Sequence, residues 1–110
     1  MVSANSFGTH FVMWSHGHWY PCIISSGMSD GKSHYVKCPG GDEGVRDQII
    51  SMNGEDCQDL DDVIAYWPGN NTFAYAGKIN GVRQTEWWVD FAGGDKGWIP
   101  KSKVWKRVLI

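Results

Sequence analysis

Tyr35-Val36-Lys37-Cys38-Pro39-Gly40-Gly41-Asp42-Glu43-Gly44 and Trp88-Val89-Asp90-Phe91-Ala92-Gly93-Gly94-Asp95-Lys96-Gly97 lie 53 residues apart and align without a gap. The Val, the Gly-Gly-Asp and the final Gly are identical in the two stretches. At the same spacing Trp14 falls on Trp67. A shared Gly-Gly-Asp-x-Gly at one fixed distance from a shared Trp marks an internal duplication. Between these anchors Trp19-Tyr20-Pro21-Cys22-Ile23-Ile24 matches Phe73-Ala74-Tyr75-Ala76-Gly77-Lys78-Ile79, with the register slipped by a residue or two. The chain therefore reads as two copies of one unit, residues 8–53 and 58–110, with an acidic junction over 53–61.

Each copy reads as short strands and turns. In the second copy the strands are expected over 62–67, 73–80, 86–91 and 98–99. Pro68-Gly69-Asn70-Asn71 and Gly93-Gly94-Asp95-Lys96-Gly97 are turns, and Asn80-Gly81 starts another. A helical turn over 101–105 leads to a last strand over 106–110. The first copy repeats the order, with strands over 10–14, 19–25, 33–38 and 44–50. Neither half carries a sustained i, i+3, i+4, i+7 apolar pattern. Four or five short antiparallel strands per copy predict an all-β protein of two small, strongly bent barrels in tandem. Units this small are marginal alone, so they are expected to share an interface or a strand.

Composition narrows the function. The chain has 110 residues, 42% hydrophobic and 20% charged, with 14 Gly and a net charge of −2. These values fit a folded soluble domain and argue against disorder. No apolar run approaches the ~18 residues of a membrane helix, so no membrane partner is expected. Three cysteines (Cys22, Cys38, Cys57) with no CxxC pair predict a reduced, intracellular protein. His16 and His18 lie near Cys22, but the spacing matches no zinc ribbon or finger; no metal or cofactor is expected. Asn70-Asn71-Thr72 is a glycosylation sequon, read as chance in a chain with no visible secretory signal. Nothing resembles a phosphate loop or a nucleophile–base pair at usable context, so an enzyme is not expected.

Seven Trp are several times the ordinary share. Most Trp in a small β domain are core, and Trp87, Trp88 and Trp105 are read that way. Trp67, Tyr75 and Phe91 are different. They end the first strand, open the second and end the third of the second copy, and in a meander those points meet at one edge. Three aromatic faces around a gap attract an alkylated ammonium by cation–π forces of ~0.5–2 kcal/mol each. Asp95, in the turn beyond Phe91, would add a charge at the rim.

The second copy resembles a Tudor domain of the Royal superfamily. The resemblance rests on Asp62 to Trp67, the Phe73-x-Tyr75-x-Gly77-x-Ile79 strand, Trp88 to Phe91, Gly93-Gly94-Asp95 and Trp98-Ile99-Pro100. The first copy resembles the same domain more loosely. The layout is similar to the paired Tudor domains of DNA-damage mediator proteins, with SH3-like barrels. The resemblance implies a nuclear chromatin reader, cut from a longer protein, that binds a methylated lysine on a histone tail. It places the cage at Trp67, Tyr75, Phe91 and Asp95, with Trp98 or Phe73 closing it. In the first copy it points to Trp14, Trp19 or Tyr20, and Asp42. There Cys38 stands where Phe91 stands and supplies no π face, so the second copy is favoured, although in mediator-type pairs the first domain usually carries the cage.

Two other functions compete. The basic run Lys101, Lys103, Lys106 and Arg107 could contact DNA or RNA phosphate, with exposed aromatics stacking on bases. Alternatively, all the aromatics pack between the copies in a structural interaction domain.

Overall fold

A computed structural model describes residues 8–14, 17–70 and 72–110. Among these residues ten strands form one antiparallel network: β1 (His10–Met13), β2 (His18–Gly27), β3 (His34–Lys37), β4 (Glu43–Arg46), β5 (Ile49–Ser51), β6 (Asp62–Ala65), β7 (Ala74–Val82), β8 (Glu86–Phe91), β9 (Lys96–Pro100) and β10 (Val104–Lys106). The path runs β10-β6-β7-β2-β1-β5. The β3–β4 ribbon leaves β2 and the β8–β9 ribbon leaves β7. The ladder is not closed: β4, β9 and β10 each pair with one neighbour among the described residues, and β5 adds to its β1 ladder only an isolated bridge from Ile50 to Leu109.

The duplication read from the sequence recurs in the registers. Val12 pairs with Tyr20 as Ala65 pairs with Tyr75. Val36 pairs with Gly44 as Val89 pairs with Gly97. The two Gly-Gly-Asp turns share their hydrogen bonds: Cys38 N–H donates to the Asp42 carbonyl and Phe91 N–H to the Asp95 carbonyl, both at 2.8 Å. Gly41 and Gly94 hold φ of 99° and 102°, which disfavours any side chain there.

Strand bounds shift by a residue or two in several places, with β9 reaching back to Lys96 inside the expected 93–97 turn, and three departures are larger. Asn80-Gly81 does not turn: β7 runs on to Val82 through a register shift between Ile79 and Val82, because its cross-strand partners continue past the Asn-Gly pair. The stretch 44–50 divides into β4 and β5. The last strand comes earlier, at Val104–Lys106, after a 3₁₀ turn at Lys101–Lys103, where those residues pair in turn with Ala65, Ile64 and Val63 of β6.

The two halves are joined by strand pairing and by a shared core, besides the Ile50–Leu109 bridge. His18 pairs with Tyr75 and Trp19 with Ala74, so β2 and β7 continue one sheet. Behind that seam Phe11, Trp19, Ile50, Ile64 and Ala74 form one buried cluster drawn from both halves. Trp105 packs on Phe11 at 4.6 Å between ring centroids and on Tyr66 at 5.5 Å. Each half also has its own core, around Val63, Ile79, Val89 and Ile99 in the second and around Val12, Val36 and Ile49 in the first.

Candidate functional site

β6 ends at Ala65, and two residues later Trp67 stands 37% exposed at the start of the Pro68-Gly69 turn. The turn is fixed by Asn70: its backbone N–H donates to the Trp67 carbonyl, and its Oδ1 accepts from the N–H of Thr72 at 2.9 Å. That returns the chain into β7, where Tyr75 faces the same edge. β8 delivers Phe91 to it from the other side, and Phe91 is 7% exposed. Trp67 meets Phe91 at 5.6 Å and 76°, and Tyr75 meets it at 6.4 Å and 88°. Phe91 is thus a floor with two aromatic walls raised from it. Trp67, Asn70, Tyr75, Phe91, Gly93 and Asp95 line a cavity of about 200 Å³. That is smaller than a typical small-molecule pocket and suits a single side-chain head group.

Gly77 keeps the floor in place. It pairs directly with Phe91. A Cβ there would lie 2.8 Å from Val89 Cγ1 and 2.9 Å from the Asp90 carbonyl oxygen. The Trp67 ring lies over Gly97, at an ordinary contact distance of 3.8 Å from where a Cβ would be. Asn70 and Gly93 were not singled out as lining residues in the sequence; the turn chemistry that marks them also marks every other turn in the chain.

Two expected residues lie elsewhere. Trp98 is on β9 opposite Trp88. It packs on that ring at 5.3 Å and is covered by the Arg83 guanidinium at 3.9 Å. Strand alternation places it away from the cavity. Phe73 is beside the cavity and not in its lining, 5.1 Å from Tyr75 and stacked on His18 at 4.1 Å and 18°.

The first half has a matching but different cavity of about 660 Å³, lined by Trp14, Tyr20, Cys38, Asp42, Arg46 and Thr72 among others. Trp14, Tyr20 and Asp42 hold the positions of Trp67, Tyr75 and Asp95. Trp19 does not belong here. It faces the opposite side of β2, 2% exposed in the cluster shared by both halves.

Cys38 is disulfide-bonded to Cys22. The reduced state expected from an odd cysteine count is therefore not what this pair shows. Cys22 and Cys38 take the register positions of Gly77 and Phe91, so the bond fills the space of the missing ring, and only Cys57 is a thiol. Trp14 Nε1–H donates to Cys38 Sγ at 3.3 Å. Arg46 lies over the Trp14 ring at 4.5 Å and donates from Nη2 to the Met13 carbonyl at 2.8 Å.

The basic run is engaged within the chain. Lys106 Nζ bonds Glu55 at 3.0 Å and lies 3.8 Å from Asp61. The Glu55 carboxylate raises the Lys106 pKa. Arg107 meets Asp62 at 3.9 Å. Lys101 covers Trp87 at 4.6 Å and Lys103 covers Tyr66 at 5.6 Å. The pairing of β10 with β6 brings the basic and acidic segments together.

His16 and Asn71 lie outside the described residues. Among the described residues no group of three or more His, Cys, Asp or Glu is placed to hold a metal ion. No protein-family model matches the chain, and no curated protein matches it.

Proposed function

We propose that this chain is a tandem of two Tudor-type, SH3-like barrels. On this reading the second barrel binds a methylated lysine of a histone tail, which gives the protein a nuclear, non-enzymatic reader role. The observation that carries it is the cavity walled by Trp67, Tyr75 and Phe91 with Asp95 at its rim. The chain's own cations cover Trp14, Trp87, Trp98 and Tyr66. Among the described residues none covers Trp67, Tyr75 or Phe91, so these rings present π faces to an incoming cation.

The chemistry follows from the walls. A methylammonium keeps its charge but carries an apolar shell, so it loses less on leaving water than a bare ammonium does. Each ring face then contributes ~0.5–2 kcal/mol. The Asp95 carboxylate adds a charge interaction and can accept an N–H that methylation has left.

Titration of the full chain with histone peptides, methylated and unmethylated, tests the reading. Trp67→Ala is expected to weaken the methylated peptide several-fold to roughly thirty-fold, one ring's share of the cation–π attraction. Asp95→Asn should weaken a mono- or dimethylated peptide more than a trimethylated one. Both residues are exposed, so neither substitution should unfold the chain. Equal affinity for methylated and unmethylated peptides would overturn the proposal.

A further inference from the structure

The two cavities are neighbours on one face. His18 pairs with Tyr75 across the β2–β7 seam, and directly opposed residues share a face. Tyr20 is two residues along β2 from His18 and therefore on the same side. The rings run without a break: Tyr75 to His18 at 5.3 Å, His18 to Tyr20 at 6.3 Å, and Phe73 within 5.4 Å of Tyr20. The turn between β6 and β7 edges both cavities, with Asn70 in one and Thr72 in the other.

We propose that one extended polypeptide occupies both cavities, with its methylated lysine between Trp67, Tyr75 and Phe91 and a second, unmodified basic side chain against Tyr20 and Asp42. This rests on the methyl-lysine reading of the first of these cavities. The path from the Tyr75 ring to the Tyr20 ring, through His18 or through Phe73, is at most about 10–12 Å. An extended chain advances about 3.3 Å per residue, so the two basic residues are three or four apart. The aromatic surface between them accommodates the intervening side chains.

Charge decides what the second cavity takes. Asp42 is exposed and, among the described residues, has no ion pair. Arg46, the other charge in the lining, is held against Trp14 and the Met13 carbonyl. Its guanidinium closes the Trp14 face, and the disulfide replaces the third ring. The cavity therefore lacks the enclosing π walls that favour a methylammonium. It retains Tyr20 and a carboxylate, which suit an unmodified Lys or Arg.

The test uses the full chain and three ligands. One is a methyl-lysine peptide with a basic residue three or four positions away, the second has Ala in place of that residue, and the third is an amidated, acetylated methyl-lysine alone. Asp42→Asn is expected to weaken the first ligand by about 2- to 5-fold, as loss of an exposed charge pair does, and to leave the other two unchanged. Arg46→Gln should hold or raise affinity for the first, because it removes a like charge. Equal effects of Asp42→Asn on all three ligands would overturn the proposal. So would Arg46→Gln weakening and Asp42→Asn strengthening the first, the signature of an acidic side chain in the cavity. Trp67→Ala separates the two readings. If it weakens all three ligands while Asp42→Asn does nothing, only the bridging proposal falls; if it changes nothing, both fall.

Discussion

Phe91 and Cys38 hold the same place in the two halves, and this difference changes the floor of each cavity from a ring to a disulfide. A ring needs room behind it, and Gly77 supplies that room; a disulfide needs a partner, and Cys22 supplies it from the position equivalent to Gly77. Gly77→Val should therefore cost about 1–3 kcal/mol, by forcing Val89 and the β8 backbone away. Chemical denaturation would measure the loss, and methyl-lysine affinity should fall with it as the floor shifts. Trp67, Tyr75, Phe91 and Asp95 were legible in the sequence because each lies at a strand end beside a turn, where one edge collects them whatever the details. Trp19 and Trp98 were not legible, because a side chain's face depends on strand bounds to the residue. The Cys22–Cys38 bond was hidden for the same reason: it needs the cross-strand register, and a count of three cysteines cannot supply that.

At the scale of elements, β2 does the most. It pairs with β1, β3 and β7, carries Tyr20 to one cavity, and places His18 beside Tyr75 of the other. The disulfide fastens it to β3 across a separation of 16 residues. A closed loop of that length constrains the unfolded chain by about 3 kcal/mol. Reductant should lower the unfolding free energy by about that amount, read from urea curves with and without it. The turn joining β2 to β3 has its own pH dependence. The Asp30 carboxylate accepts from the backbone N–H groups of Lys32 and Ser33 and from Ser33 Oγ, and these bonds hold its pKa below the ordinary 3.8. A pKa lower in the folded than in the unfolded chain gives stability that is present above 3.8 and lost as pH falls through the folded value. Lower protection of the Lys32 and Ser33 amides under acid, measured against their intrinsic exchange at each pH and absent as a pH effect in Asp30→Ala, would check this. The turns were legible from their Gly, Asn and Asp residues. The continuation of β7 past Asn80-Gly81 was not, because tertiary pairing overrode a local turn signal.

The whole molecule is one cooperative body by its packing. Ile64 is fully buried in the cluster that draws on both halves. Ile64→Ala should cost about 2–5 kcal/mol and destabilise both halves together, so probes in the first and second copies should report one coincident transition. Two separated transitions would contradict the shared core. The repeat and the need for a shared interface or strand were legible from 110 residues alone, while the seam itself was not, because Trp19 reads as a cage candidate and Ala74 as nothing, and only the register of β2 against β7 brings them together. The charge pattern changes meaning at this scale too. An acidic junction and a basic tail look like two surfaces in the sequence, and folding makes them partners through Lys106, Glu55 and Asp61. The contact between the Trp14 indole and the Cys38 sulfur has an optical consequence. A disulfide accepts an electron from an excited indole that touches it, so Trp14 should be dim in the oxidised protein. Reducing the bond should raise the summed emission of the seven Trp by the share Trp14 adds, and Trp14→Phe should remove that rise, which makes one indole a reporter of the sulfur chemistry beneath the first cavity.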